Sequence, residues 1–347
     1  MKRSSAPDVP TMAPDQAKPP SVVAMLTDRA WLLDQTSLIL LFGGIAVSVL
    51  SFLLPGWLVF LGIIVIAKAL VVLGLSILWR AGLVSFGQAL FYGSGAYAAG
   101  LTSVFLGISE FFVLVPLDGL VALIIGYVLG FLLARYRDIF FANLNLAFSM
   151  LLFGILAKNE ELGSTDGMHT AIPTSFGYDA PDALRLPITF TCAAAVAVIV
   201  FGGIHLFQRT TLGQMASAVK DSEIRVEYLG YSVRRACHTY ITIAAGLAGL
   251  GGGIVALALG HVDPELVYWT TLGEFLFVTI LSGTANVVAP LLGTIAFEII
   301  RTYANQYSPF AWQIILGGSL LLTILFLPNG LWSLFGKIRH EKARTDE

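Results

Sequence analysis

The chain has 347 residues, of which 56% are hydrophobic and only 12% are charged, with a formal net charge of −2. That balance excludes a soluble globular domain and fits an integral membrane protein. There is no basic tract with interleaved aromatics, so no nucleic-acid partner is implied, and the five histidines show no metal-ligand spacing.

Residues 1–36 are polar and proline-dotted (SSAPDVP, PDQAKPP) and read as a disordered cytoplasmic tail. No apolar core lies near Met1, so no cleaved signal peptide is expected. A membrane span needs about 20 apolar residues. Ser37–Leu54, Trp57–Trp79, Gly82–Leu106, Phe112–Ala134 and Ile139–Ala157 come first, followed by a polar loop over 158–186. Pro187–Phe207 precedes a polar island, Gln208–His238, and Thr239–Leu259 follows it. Thr270–Leu281 is too short to cross unaided, and Val287–Ala304 and Phe310–Leu327 complete the membrane part before a basic tail at 336–347. The expected fold is all-α: one membrane domain over 37–335 with about ten transmembrane or re-entrant helices. The cysteines Cys192 and Cys237 read as packing residues that do not pair.

Cations sort by side. With the N-terminus inside, sixteen Lys and Arg residues fall on inner segments, among them Arg80, Arg135, Arg137, Arg209, Lys220, Arg225, Arg234 and Arg235. Only Lys158, Arg185 and Arg301 fall on outer ones. The positive-inside rule then puts both termini and the polar island in the cytoplasm.

The island reads as an amphipathic helix. Thr211 and Gln214 have the spacing of a capping box, which starts the helix at Leu212, and Gly230 suits its end. Leu212, Met215, Val219, Val226 and Leu229 share one face, while Asp221 and Arg225 stand one turn apart on the other. Two readings fit that shape: a cover for the ends of neighbouring spans, or an apolar ridge offered to a partner.

A short internal similarity joins Ser85-Phe-Gly87-Gln88-Ala-Leu-Phe91 to Thr271-Leu-Gly273-Glu274-Phe-Leu-Phe277. The first begins at the inner end of its span and the second at the outer end, as in an inverted repeat around a transport pathway. Polar residues at membrane depth should face the bundle or a cavity: Lys68, Gln88, Asp118, Asn143, Asn145, Glu274 and Glu298. Gln88, Asn143, Asn145 and Glu274 are candidates to line the pathway, with interhelical bonding an equal alternative for the asparagines. Lys68 can snorkel or pair with Glu274 or Glu298. Asp118 sits near the outer surface if its span starts later than drawn.

Six blocks in order resemble the inner-membrane permeases of branched-chain amino acid ABC importers. They are GLVSFGQALFYGSGAYAAG (82–100), RDIFFANLNLAF (137–148), LGSTDGMHTAIP (162–173), TLGQMASAVKDSEIRVEYLG (211–230), AAGLAGLGGGIVA (244–256) and FLPNGLWSLF (326–335). Gln88 stands where the family commonly has His, Asn145 where it has Thr, Gln214 where it has Arg, and Asn143 where it has an apolar residue. Ser282, Ala285 and Ala289 replace customary glycines beside Gly283. Related permeases carry urea or short amides, and some share Gln at the position of Gln88.

The resemblance implies a substrate pathway at Ser85, Gly87, Gln88, Asn143, Asn145, Glu274, Ser282 and Gly283. It implies a coupling segment at Leu212, Gly213, Met215, Ala218, Val219, Lys220, Glu223, Leu229 and Gly230, and a periplasmic gate or docking face at Asp166 and Gly167, where a simple turn is the competing reading. The implied partners are two ATP-binding cassette subunits, a second homologous permease, a periplasmic substrate-binding protein and the lipid of a bacterial inner membrane. The chain has no G-x-x-x-x-G-K-[ST] loop, so ATP and its magnesium would belong to the partners and no cofactor to this chain. An ion-coupled transporter using Lys68, Glu274 and Glu298 as a relay, and a membrane-embedded enzyme, are the competing classes.

Overall fold

The computed structural model describes residues 35–175, 177, 181–307, 312–326 and 330–332. The two tails lie outside the described residues, except that Gln35 and Thr36 open the first helix. Ten helices of 14 residues or more make up the described bundle: α1 (Gln35–Leu50), α2 (Gly56–Arg80), α3 (Gln88–Phe105), α4 (Phe111–Leu133), α5 (Asp138–Lys158), α6 (Asp182–Arg209), α9 (Val233–Leu259), α10 (Trp269–Ser282), α11 (Ala289–Tyr307) and α12 (Trp312–Phe326). Two short helices, α7 (Thr211–Asp221) and α8 (Glu223–Tyr228), lie between α6 and α9. Five of the ten, α2, α4, α5, α6 and α9, are long and apolar enough to cross a membrane.

At the centre, α2 and α9 lie antiparallel, with Gly74 against Ala244 at one level and Gly251 against Ala67 at another. Lipid tails are as apolar as leucine, so close packing rather than water exclusion must join such helices. The run AAGLAGLGGG provides it. A Cβ on Gly95 would stand 2.3 Å from Gly249 O, and one on Gly252 would stand 1.9 Å from Tyr92 O. α9 thus touches α2, α3 and α4 together, while α4, α5 and α6 stay largely exposed on their outer faces.

Several boundaries differ from the sequence reading. The span drawn from Gly82 begins as non-helical chain: Gly82 takes φ +75°, and α3 starts at Gln88, inside the bundle. α6 begins at Asp182 rather than Pro187. α9 begins at Val233, so the last six residues of the polar island are helical, behind an N-cap at Ser232 whose hydroxyl accepts from Arg235 N. The two halves of the short similarity differ locally, because Ser85–Gly87 precedes a helix whereas Thr271–Gly273 lies inside one. α4 packs on α9, and α11 packs on α2.

One end of the bundle gathers cations. Lys220 lies against Gly82 just after Arg80, Arg137 pairs with Glu223, and Arg234 donates to Phe131 O at the end of α4. At the other end, β1 (Met168–His169) pairs antiparallel with β2 (His261–Val262), tying the loop after α5 to the link between α9 and α10. Glu110 at that end accepts from Thr174 and Gly177 N.

Candidate functional site

The buried start of α3 meets α5. Gly87 is its N-cap and offers no side chain to the free N–H groups of the first turn. Asn145 on α5 packs on Gly87 so closely that a Cβ there would stand 2.6 Å from Asn145 Oδ1. Asn145 donates to Phe141 O, four residues back on its own helix, at 2.8 Å, and Ser85 Oγ accepts from Gly87 N at 3.3 Å. Gln88 is fully buried, and neither its Nε2 nor its Oε1 has a hydrogen-bond partner among the described residues. A buried amide left without a partner costs free energy. Ser85, Gly87, Gln88 and Asn145 thus lie together at this junction. Asn143 does not: it is exposed on α5, because two residues along a helix turn its side chain away from the face that Asn145 uses.

Glu274 belongs to a different cluster. Lys68 Nζ on α2 lies 2.8 Å from Glu274 Oε2 on α10 and 2.7 Å from Glu298 Oε1 on α11. Arg301 lies 3.1 Å from Glu274 and 3.7 Å from Glu298. Two cations and two carboxylates balance, and Lys68 also faces the Phe297 ring at 5.8 Å. The sequence left Lys68 undecided between its carboxylates and sorted Arg301 to the outer side; its spacing of three from Glu298 was the available signal. Asp118 is not near the outer surface. It is fully buried beside Gly253, with both carboxyl oxygens unpartnered among the described residues. Ser282 is buried and its hydroxyl bonds locally to Thr279 O and Gly283 O. Gly283 ends α10 at φ +76° under Gly330.

The expected single helix Leu212–Leu229 is a hairpin of α7 and α8. The N-cap is Thr210, not Thr211: its hydroxyl accepts from Gly213 N, while Gln214 Nε2 donates to Arg209 O. Ser222 breaks the helix and caps α8 through Arg225 N, which puts Asp221 and Arg225 on separate helices. Gly230 ends the hairpin at φ +85°, a conformation that costs other L-residues about 1–2 kcal/mol. Most of the expected ridge faces inward. Met215, Val219 and Val226 are buried in the main core, Gly213 abuts Phe207 O, and Tyr240 Oη donates to Leu212 O at 2.6 Å. Ala218 and Lys220 are exposed. The exposed apolar surface is Ile224, Tyr228, Leu229 and Tyr231, with Tyr228 88% and Leu229 75% exposed. The break at Ser222 hid this surface from a single-helix reading.

At the opposite end Asp166 is exposed and Gly167 takes φ +74° with its α-carbon against Val262 O. A side chain on Gly167 would meet that backbone oxygen. Between α3, α4 and α5 runs an apolar cavity of about 620 Å³ lined by Leu90, Tyr97, Ile125, Phe148 and Leu152 among others. Among the described residues, no group of three His, Cys, Asp or Glu could hold a metal ion.

The family described as branched-chain amino acid transport system / permease component matches residues 53–325. The chain belongs to that family. It is 29% identical over 285 residues to the high-affinity branched-chain amino acid transport system permease protein LivM of Escherichia coli K12, covering 75% of this chain and 65% of that protein. It is 28% identical over 285 residues to the LivM of Salmonella typhimurium LT2, with the same coverage. The match thus spans just under two thirds of those relatives. No solved structure matches the chain. This family membership makes the chain a membrane permease component, and its five span-length apolar helices suit a multi-pass protein.

Proposed function

We propose that this chain is the permease subunit of an ATP-driven importer, forming the pathway for branched-chain or other small amino acids. The observation that carries this reading is the α7–α8 hairpin. It is anchored by Met215, Val219 and Val226, yet it presents Ile224, Tyr228 and Leu229 outward at the cation-rich end. Exposed apolar clusters of this kind mark partner surfaces. An ATP-binding subunit docked there would move a hairpin joined directly to α6 and α9. Two such subunits, a second homologous permease and a periplasmic binding protein complete the assembly, and ATP with its magnesium stays in the partner chains.

The cation-rich end then faces the cytoplasm of a bacterial inner membrane, with both termini on that side. The ten long helices serve as about ten crossings or re-entrant segments, and α2–α5 and α9–α12 form an inverted repeat about the antiparallel α2–α9 pair. Gln88, Asn145 and Ser85 face the cargo, while Asp166 lies on the binding-protein side. A urea or short-amide cargo is the second reading. It is favoured by the unpartnered Gln88 carboxamide, whose donor and acceptor together complement another amide.

Uptake of radiolabelled leucine, with urea in parallel, tests both in cells with and without the gene. The partner genes are kept, and each assay is repeated with a hydrolysis-dead ATP-binding subunit. Leucine uptake that needs both this gene and active ATPase supports the first reading, and urea uptake with the same dependence supports the second. Uptake that needs the gene but survives the dead ATPase refutes the importer and favours an ion-coupled transporter.

A further inference from the structure

The coupling hairpin touches more than the two spans it joins in the chain. Glu223, the first residue of α8, accepts from Arg137 Nε at the N-cap of α5. Arg137 is itself fixed, since its Nη1 donates to Ala134 O at 3.0 Å and Tyr136 O at 2.9 Å, at the end of α4. The next residue, Asp138, begins α5 at φ +52°, a conformation that a non-glycine residue keeps only when its surroundings hold it. On the other arm of the hairpin, Lys220 of α7 lies against Gly82, six residues before Gln88. The two arms therefore reach the two segments that meet at Gly87 and Asn145. Along its length α5 is held by the buried Phe141 and Leu156, by Asn145 on Gly87, by Ser149 Oγ donating to Val267 O and by Phe153 against the Tyr268 ring. Packed helices shift by small sliding motions when one end is displaced.

We propose that Arg137 and Glu223 are positioning residues that carry displacement of α8 to α5 and so to the Gly87–Gln88–Asn145 junction. This rests on the importer reading above and adds the route by which the hairpin reaches a helix distant in sequence. The pair is partly exposed, with side chains 26% and 42% accessible. Such a pair contributes little to folding, so neutral variants should assemble and its effect should appear in coupling.

The test uses the complete transporter in proteoliposomes, with ATP hydrolysis and radiolabelled leucine uptake measured together for wild type, R137Q, E223Q and the charge swap R137E/E223R. The expected result is that R137Q, whose residue lies outside the coupling segment, keeps the ATP-binding subunits and hydrolyses ATP, while leucine moved per ATP falls roughly tenfold, within the usual range of coupling between sites; E223Q should lower the ratio as well. Unchanged ratios in R137Q and E223Q would overturn the proposal, and a swap that restores the ratio would support it. A spin label at I155C on α5 gives a readout free of cargo: its spectrum should change on trapping with ATP and vanadate in wild type and not in E223Q. An equal change in both sinks the link. If wild type shows no ATP-dependent leucine uptake, the cargo reading fails, and the label still decides the link.

Discussion

The Lys68 ammonium stands 2.7 Å from the Glu298 carboxylate across the seam between α2 and α11. Since Glu274 holds the same ammonium at 2.8 Å, one cation fastens α10 and α11 to the central helix. Removing one partner of a buried pair typically costs about 3–5 kcal/mol, because the remaining charge is left uncompensated. K68M should therefore lower the unfolding midpoint in detergent markedly. K68M/E298Q leaves Glu274 with Arg301, one charge against one, and should recover most of the loss. A double variant no more stable than K68M would show that the cluster is not a balanced unit.

Gln88 offers a test of the proposed pathway. Its buried amide has no partner among the described residues, and leaving such a group unsatisfied costs about 1–3 kcal/mol. Q88L, of similar volume, should raise thermal stability while reducing uptake. A lower melting temperature for Q88L would mean that the amide is bonded in the folded protein, and the pathway role would lose its support.

The hairpin predicts a separation of effects. Y228S/L229S changes only exposed side chains, so it should reduce co-purification of ATP-binding subunits without lowering the melting temperature. M215S removes a buried side chain and should destabilise the bundle, by up to about 2–5 kcal/mol as for other large truncations. Equal loss of partner and stability in both would mean that the outward surface has no separate role.

Glycines on α9 and α10 should differ sharply. At Gly252 a Cβ would stand 1.9 Å from Tyr92 O, a backbone atom that cannot swing aside. G252A should push α3 from α9 and lower the yield of monodisperse protein. A Cβ on Gly273 would meet open space among the described residues outside its own helix, so G273A should be neutral or better, by up to about 1 kcal/mol, through helix propensity. Size-exclusion profiles of the two variants decide this.

Much of this protein was legible in the chain. Apolar runs of span length declare a helical membrane protein, because backbone groups in lipid must be bonded within their own helix. Cation sorting anticipated the end at which Arg80, Arg137, Lys220 and Arg234 gather. The block 82–100 contains Gly87, where only a glycine lets Asn145 approach so closely. Periodicity could not tell which face of the hairpin points inward. That depended on Ser222, whose hydroxyl capped a new helix and turned Ile224 and Tyr228 outward. Nor could it choose the partners of Lys68 or join Arg137 to Glu223, 86 residues apart in sequence. Local pattern fixes what each helix is. Which charges meet across helices is decided only when small residues bring the backbones close enough for side chains to choose among neighbours.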